Sequence, residues 1–285
     1  MRIRDGVIEY QKTITDTETL TKDINIPDPI SAFYLEVECT NGATSNKGNF
    51  ISDIITKIEV VDGSDVLASL SMAQLEALYF YKTGRMPVMF PSAFASGVQR
   101  HGCYLLFGRY LWDPMFCLVP TKYRNPQIKI TANKAAIRAA SATGFATGNN
   151  ILVTIVAKIF EEGAAPVGHL MAKQVDSFTS VASGDKRIEL PTDYVYRLLM
   201  PRFWVQLSDI DEVITDLKLT CDTDKFIPFN RKVKQLDAEA FAAFGLGRIK
   251  HDIFAQHQIA FRLIFNKEPW YTPLSWEDAT PEIIG

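Results

Sequence analysis

At 285 residues the chain has room for one large domain or two ordinary ones, each able to bury a core. Its 47% hydrophobic and 22% charged composition is that of a folded globular protein and excludes a disordered one. A formal net charge of −3 leaves no basic footprint, so direct nucleic-acid binding is not expected. No apolar run reaches the roughly 18 residues of a membrane span. The opening MRIRDGVIEY lacks the apolar core of a signal peptide, so synthesis in the cytoplasm is expected. Cys39, Cys103, Cys117 and Cys221 are widely spaced with no CxxC pair, the pattern of reduced, buried thiols.

Residues 1–17 have mixed polarity, with Ile8 and Tyr10 alternating with Glu9 and Gln11; they read as an N-terminal arm or an edge strand. Strand signals firm up at Lys22, Ile24 and Ile26 and stop at Pro27-Asp28-Pro29, since proline cannot donate to a ladder. Phe33, Leu35, Val37 and Cys39 then alternate with Tyr34, Glu36, Glu38 and Thr40, one face inward and one toward water. Asn41-Gly42 closes this strand, and a polar loop runs to Asn49. Ile54 to Val61 reads as a short helical turn or bend entering a strand. Asp62-Gly63-Ser64-Asp65 is a hairpin signal, and Val66 to Leu70 returns.

The period then changes from 2 to about 3.6. Ser71 is an N-cap with Gln74 completing a capping box, and Met72, Leu75 and Tyr79 line one helical face. Gly84 suits the left-handed residue past the helix end, and Pro87 prevents continuation. Residues 88–101 read as loop, Cys103 to Leu111 as a strand, and Gln127 to Thr131 as another. Residues 135–150 read as a surface loop with one helical turn near Ala135 to Ala140. Ile151 to Phe160 is a long β-branched strand. Gly163 to Gly168 is the linker.

The second half repeats this order. Ile210, Ile214, Thr215, Leu217 and Leu219 match Ile51, Ile55, Thr56, Ile58 and Val60 at an offset of 159 (210 − 51). After a four-residue insertion Glu239, Ala240, Gly247 and Arg248 match Glu76, Ala77, Gly84 and Arg85 at 163 (239 − 76). Lys186, Ile188 and Leu190 match Lys22, Ile24 and Ile26 at 164 (186 − 22). Phe203, Val205 and Leu207 alternate as one strand, Ile259, Phe261, Leu263 and Phe265 as another. Thr280 to Ile283 matches Asn125 to Ile128 at 155 (280 − 125). No counterpart to Ile151–Phe160 follows, which leaves an edge for a neighbouring subunit, the segment Val7 to Thr13 or further residues to cover. A repeat of this length is a duplicated domain. The expected fold is all-β: two tandem eight-stranded jelly rolls, each with one helix between its fourth and fifth strands. The expected divisions are an arm over 1–17, a first roll over 18–163 and a second over 164–285.

Catalytic constellations are missing from the sequence. His101, His169, His251 and His257 give no HxH pair, and there is no GxSxG, HExxH or GxxxxGK[ST]. The acidic turns Asp62 to Asp65 and Asp222 to Asp224 are too short to supply a calcium site. The pairs Glu161-Glu162 and Glu36/Glu38 read as solvated. No catalytic residue, metal or cofactor is expected. Trp270, Tyr271 and Trp276, set among Pro269 and Pro273, are candidate interaction residues that could stack sugars or anchor a subunit contact.

KIEVVDGSDVLASLSMAQLEALYFYKTG (57–84), its diverged copy and the closing PLSWED resemble double jelly-roll major capsid proteins over residues 20–285. That family builds the shells of tailless, icosahedral, membrane-containing bacteriophages and shares a lineage with adenovirus hexon. The resemblance implies a non-enzymatic virion protein whose homotrimer presents six similar lobes and fills pseudo-hexagonal positions in an icosahedral capsid. It further implies contacts with penton and minor capsid proteins and an inner-membrane contact through the N-terminal arm, where Arg2 and Arg4 lie. The alternative from a different class is a tandem jelly-roll carbohydrate-binding or spike protein using Trp270, Tyr271 and Trp276. A jelly-roll glycoside hydrolase would need inward carboxylates, which the strand patterns lack.

Overall fold

Eight strands of the first half pair as nested ribbons, the outermost joining residues about 150 apart in the chain and the innermost joining immediate neighbours. In the computed structural model, residues 1–44, 46, 49–90, 92, 94–140, 144–179, 184–201, 214–222, 225–236 and 239 are described. The strands β1 (Arg2–Ile14), β2 (Thr17–Asp23), β3 (Ile30–Thr40), β4 (Ile55–Asp62) and β5 (Asp65–Leu70) come first. They are followed by β6 (Val88–Phe90), β7 (Val98–Leu106), β8 (Pro126–Asn133) and β9 (Ile151–Glu162). Antiparallel pairs form between β1 and β9, β2 and β8, β3 and β7, and β4 and β5. One sheet has the order β1-β9-β3-β7-β6; the other has β5-β4-β8-β2, with the short β10 (Ala172–Lys173) added parallel to β5. Apart from the hairpins β4–β5 and β6–β7, each connection crosses from one sheet to the other. This is the winding of a jelly roll over residues 2–162.

The alternation read from the sequence explains why the sheets face each other. Phe33, Leu35 and Val37 of β3 and Val153, Ile155 and Ala157 of β9 are fully buried against Ile58, Val60, Ile128 and Ile130 of the opposite sheet. After the single turn α1 (Ile51–Ile54), the helix α2 (Met72–Thr83) closes the side of the sandwich. Met72, Leu75 and Leu78 enter the core, while Ala73, Ala77 and Phe80 face away and pack with Met200. Its ends are as expected: the Gln74 N–H donates to Ser71 Oγ, the Ser71 N–H donates to Gln74 Oε1, and Gly84 is left-handed at φ 66°.

Four expectations are corrected. Residues 2–14 are a strand hydrogen-bonded to β9 rather than a free arm, which resolves the arm-or-edge alternative. The sequence hid this because an edge strand with an exposed face carries little inward periodicity; only Ile14 is buried. In consequence the inserted helix lies between the fifth and sixth strands, β5 and β6, and not between the fourth and fifth. The expected loop over 88–101 contains β6 and the start of β7, whose inward positions are taken by the polar Gln99 and His101. The expected strand to Leu111 ends at Leu106. There the buried Asp113 carboxylate accepts from Arg109 N, Nε and Nη2 at 3.1, 2.7 and 3.0 Å and from Met115 N at 3.1 Å, turning the chain. Trp112 sits at φ 70° within this turn, braced by its N–H bond to Ser31 Oγ and by the Phe160 ring.

The segment read as a linker lies along the first roll. Ala165 N–H donates to Pro114 O, Val167 N–H to Met115 O, Leu170 N–H to Phe107 O and Gln174 N–H to Ser69 O. Of the second roll expected over 164–285, the described residues contain one antiparallel pair, β11 (Asp216–Cys221) with β12 (Phe226–Lys232). Residues 233–236 that follow are helical. This repeats the order β4, β5, α2. Asp222 at φ 51° stands where Gly63 stands at φ 61°, at the same offset of 159 (222 − 63), so the two copies share a left-handed turn residue as well as a pattern. Residues 186–190 form no strand, having no ladder partner among the described residues. The remaining second-half strands and the helix beyond residue 239 lie outside the described residues.

Two expected outcomes follow from this arrangement. A chain lacking residues 1–14 uncovers the length of β9, and soluble yield and light scattering will report aggregation; a soluble, cooperatively folding truncation would contradict the strand assignment. The guanidinium of Arg109 holds the Asp113 carboxyl down at about 2, below the ordinary 3.8. The resulting stability is present above pH 4 and lost as pH falls toward 2. Asp113→Asn will cost about 1–2 kcal/mol near neutrality, discounted for the part-exposed arginine, and the difference from wild type will vanish in acid melts near pH 2.

Candidate functional site

The titratable groups that could do chemistry are held in structural settings. Glu76, on the inner face of α2, meets His101 of β7 with Nδ1 2.8 Å from Oε1, and both side chains are fully buried. Glu76 Oε2 and His101 Nε2 have no hydrogen-bond partner among the described residues. The adjacent Cys103 thiol, within reach of the Leu75 carbonyl, is pushed well up by burial and then by Glu76, so it stays protonated and is no nucleophile. His169 packs edge-on to Phe107 and Tyr123, with burial and the nearby Lys173 and Lys122 lowering its pKa. Among the described residues no three His, Cys, Asp or Glu side chains are placed to hold a metal. His251 and His257 lie outside them.

Four of the carboxylates singled out in the sequence, Asp62, Glu161, Glu36 and Glu38, have partners. Asp62, of the acidic hairpin, accepts from Arg124 N at 3.2 Å and Asn125 N at 2.7 Å, tying the β4–β5 turn to the start of β8. Glu161 bridges Arg2 and Arg4, and Glu38 pairs with Arg100 on the outer face of the first sheet. Glu36 accepts from the Tyr34 hydroxyl.

Two buried polar knots were not visible in the sequence. In the first, Asn41 Nδ2 donates to the carbonyls of Ser92 and Phe94 at 2.6 and 3.0 Å, while Gln99 and Asn46 donate to its Oδ1. In the second, the Lys134 ammonium, fully buried at the end of β8, contacts Ala146 O, Gly148 O, Asn150 Oδ1 and Asp16. A lysine reads as solvent-facing in a sequence, and only the fold reveals the acceptors that converge on it.

What the described surface offers is apolar area in fixed positions. The Asn41 knot holds the 92–97 turn, and beside it Val88, Phe90, Phe94 and Val98 stand 38–56% exposed at the β6 edge of the first sheet. Arg100 lies over the Phe90 ring. The opposite edge, β1, carries Ile3, Val7 and Tyr10 outward but is broken by three register shifts and lined with charges, the usual protection against unwanted strand pairing. The exposed apolar area at the β6 edge suits a contact between protein chains. Trp270, Tyr271 and Trp276 lie outside the described residues.

No protein-family model matches the chain, and no curated protein matches it. Among solved structures, the fold is similar to that titled "Crystal Structure of the STIV MCP". The TM-score is 0.52 at 12% identity, over 87% of this chain and 82% of that one. STIV is Sulfolobus Turreted Icosahedral Virus, an archaeal virus. The PBCV-1 virus capsid also aligns, with a TM-score of 0.42 at 12% identity over 56% of this chain and 42% of that one. These neighbours are viral major capsid proteins, and the STIV likeness shows a fold shared across most of both chains.

Proposed function

We propose that this chain is a structural, non-enzymatic major capsid protein that trimerises into pseudo-hexagonal capsomers of an icosahedral virion. The observation that carries the reading is the duplicated strand–turn–strand unit, with its left-handed residue conserved in position at Gly63 and Asp222. It is joined to a fold likeness that spans 87% of the chain rather than the first roll alone. A chain with two similar lobes gives a three-fold oligomer six of them, so internal duplication and cyclic symmetry together fill a hexagonal lattice position. The exposed edge around Phe90 and Phe94 supplies apolar contact area, and the pairing of the titratable groups leaves packing as the work of the molecule.

Penton and minor capsid proteins are the further partners this reading carries, and a membrane-containing bacteriophage is the kind of virion it favours. An inner-membrane contact through residues 1–17 is not part of it. Arg2 and Arg4 are engaged with Glu161 and Asp28, and their strand is in the sheet. The alternative, a tandem jelly-roll carbohydrate-binding or spike protein, draws no support from the described residues.

Size exclusion with light scattering will find a trimer near 96 kDa, three times 32.0 kDa. The double variant Phe90→Glu, Phe94→Glu will keep its circular dichroism and weaken association by at least tenfold. A persistent monomer that binds arrayed glycans would overturn the capsid reading.

A further inference from the structure

Lys134 is the one lysine or arginine buried among the described residues, and its surroundings include every group needed for a covalent reaction. We propose that Lys134 and Asn150 join in an intramolecular isopeptide bond that the folded protein makes by itself, with Asp16 carrying the protons and ammonia leaving. Lys134 directly follows β8 and Asn150 directly precedes β9, so the bond would tie one sheet of the sandwich to the other. Asp16 comes from the turn between β1 and β2.

Placement supplies most of the reactivity. Nζ is in hydrogen-bond contact with the Asn150 carboxamide and is held there by Ala146 O at 2.9 Å and Gly148 O at 2.7 Å. The latter carbonyl is presented by a glycine at φ 86°. Asp16 Oδ1 is buried 3.0 Å from Nζ and has no other partner among the described residues. A fixed amine beside a fixed electrophile gains the rate advantage of an intramolecular reaction. The other carboxylate oxygen, Asp16 Oδ2, accepts from Arg138 Nη1 at 3.2 Å, which leaves Oδ1 facing Nζ.

The steps balance without an oxidant or reductant. Lys134 passes one proton to Asp16 Oδ1, and the freed lone pair on Nζ attacks Asn150 Cγ, forming the N–C bond and pushing charge onto Oδ1. The Cys39 thiol, 3.7 Å from Oδ1, donates its S–H to that developing charge; burial pushes the thiol pKa up to about 12, so the proton stays available. Asp16 protonates Nδ2, the Cγ–Nδ2 bond breaks, and ammonia departs. The remaining extra proton on Nζ returns through Asp16 to the ammonia, which leaves as ammonium. Asp16 ends as the carboxylate it began.

The intact mass of the purified full chain tests this directly. The expected mass lies about 17 Da below that of the sequence, the mass of one ammonia. Tryptic digestion will yield a branched peptide joining Lys134 to Asn150. Hydroxylamine will not restore the lost mass, whereas it opens the succinimide that an Asn-Gly pair such as Asn41-Gly42 can form. Asp16→Asn and Asn150→Ser will each carry the full sequence mass expected for the variant, and wild type will melt at a higher temperature than either. An intact wild-type mass equal to that of the sequence overturns the proposal, whatever the variants do. So does a loss that hydroxylamine reverses or that maps elsewhere. An Asp16→Asn protein that folds and still loses ammonia overturns the role given to Asp16.

Discussion

The roll depends on the pairing of its first strand with its last. Nested pairing orders the loop closures: β4 and β5 meet across a two-residue turn, β3 and β7 span a longer interval, and β1 finds β9 only when the whole of the first half is present. Each outer pair is brought close by the one inside it, so its remaining closure entropy is small although its sequence separation is large. Ile14 opposite Ile151 fixes the end of the outermost pair, with both residues buried. Without that pair β9 would present an unpaired edge along a strand whose alternate residues are all apolar.

A sandwich closed in this way must bring several chain crossings together at its ends, and their backbone polar groups need partners. Three side-chain clusters provide them. Asn41 serves the β6–β7 hairpin at Ser92 and Phe94, Lys134 serves the crossing at 146–150, and Asp113 serves the turn after β7. Each is buried, and each reaches residues far away in sequence or turns the chain sharply. The Glu76–His101 pair differs, since each partner retains an atom with no hydrogen-bond partner among the described residues. A pair of that kind contributes little net stability but penalises any alternative seating of α2 that would separate the two groups.

How much of this was legible in the sequence followed from how local each signal was. The α2 boundaries were readable residue by residue, because Ser71, Gln74 and Gly84 act within one turn of the helix. The strands β3 and β9 were readable because both faces of each are distinct. The start of strand β7 reads as loop because Gln99 and His101 occupy inward positions, and they can do so only because Asn41 and Glu76, distant in sequence, supply their partners. The edge strand β1 is ambiguous in the sequence because one side of it has nothing to pack against. The Lys134 cage is invisible in the sequence because two of its acceptors are backbone carbonyls and the Asp16 carboxylate comes from the far side of the chain, which no sequence pattern marks. The aromatic cluster at 270–276 rested on composition alone.

The first roll also begins and ends in one place, with the Met1 backbone lying against Gly163. Tension applied between those two points would load the hydrogen bonds of β1 and β9 one after another, as a zip opens, instead of all at once along their length. A protein opened so easily from that end resists force only as far as the first firm stop. That stop is at the opposite end of the same pair, where Ile14 and Ile151 lie beside the group formed by Asp16, Lys134 and Asn150. Mechanical toughness in this molecule is therefore concentrated at one corner, and any load it bears is better carried through the faces of the sandwich than through its ends.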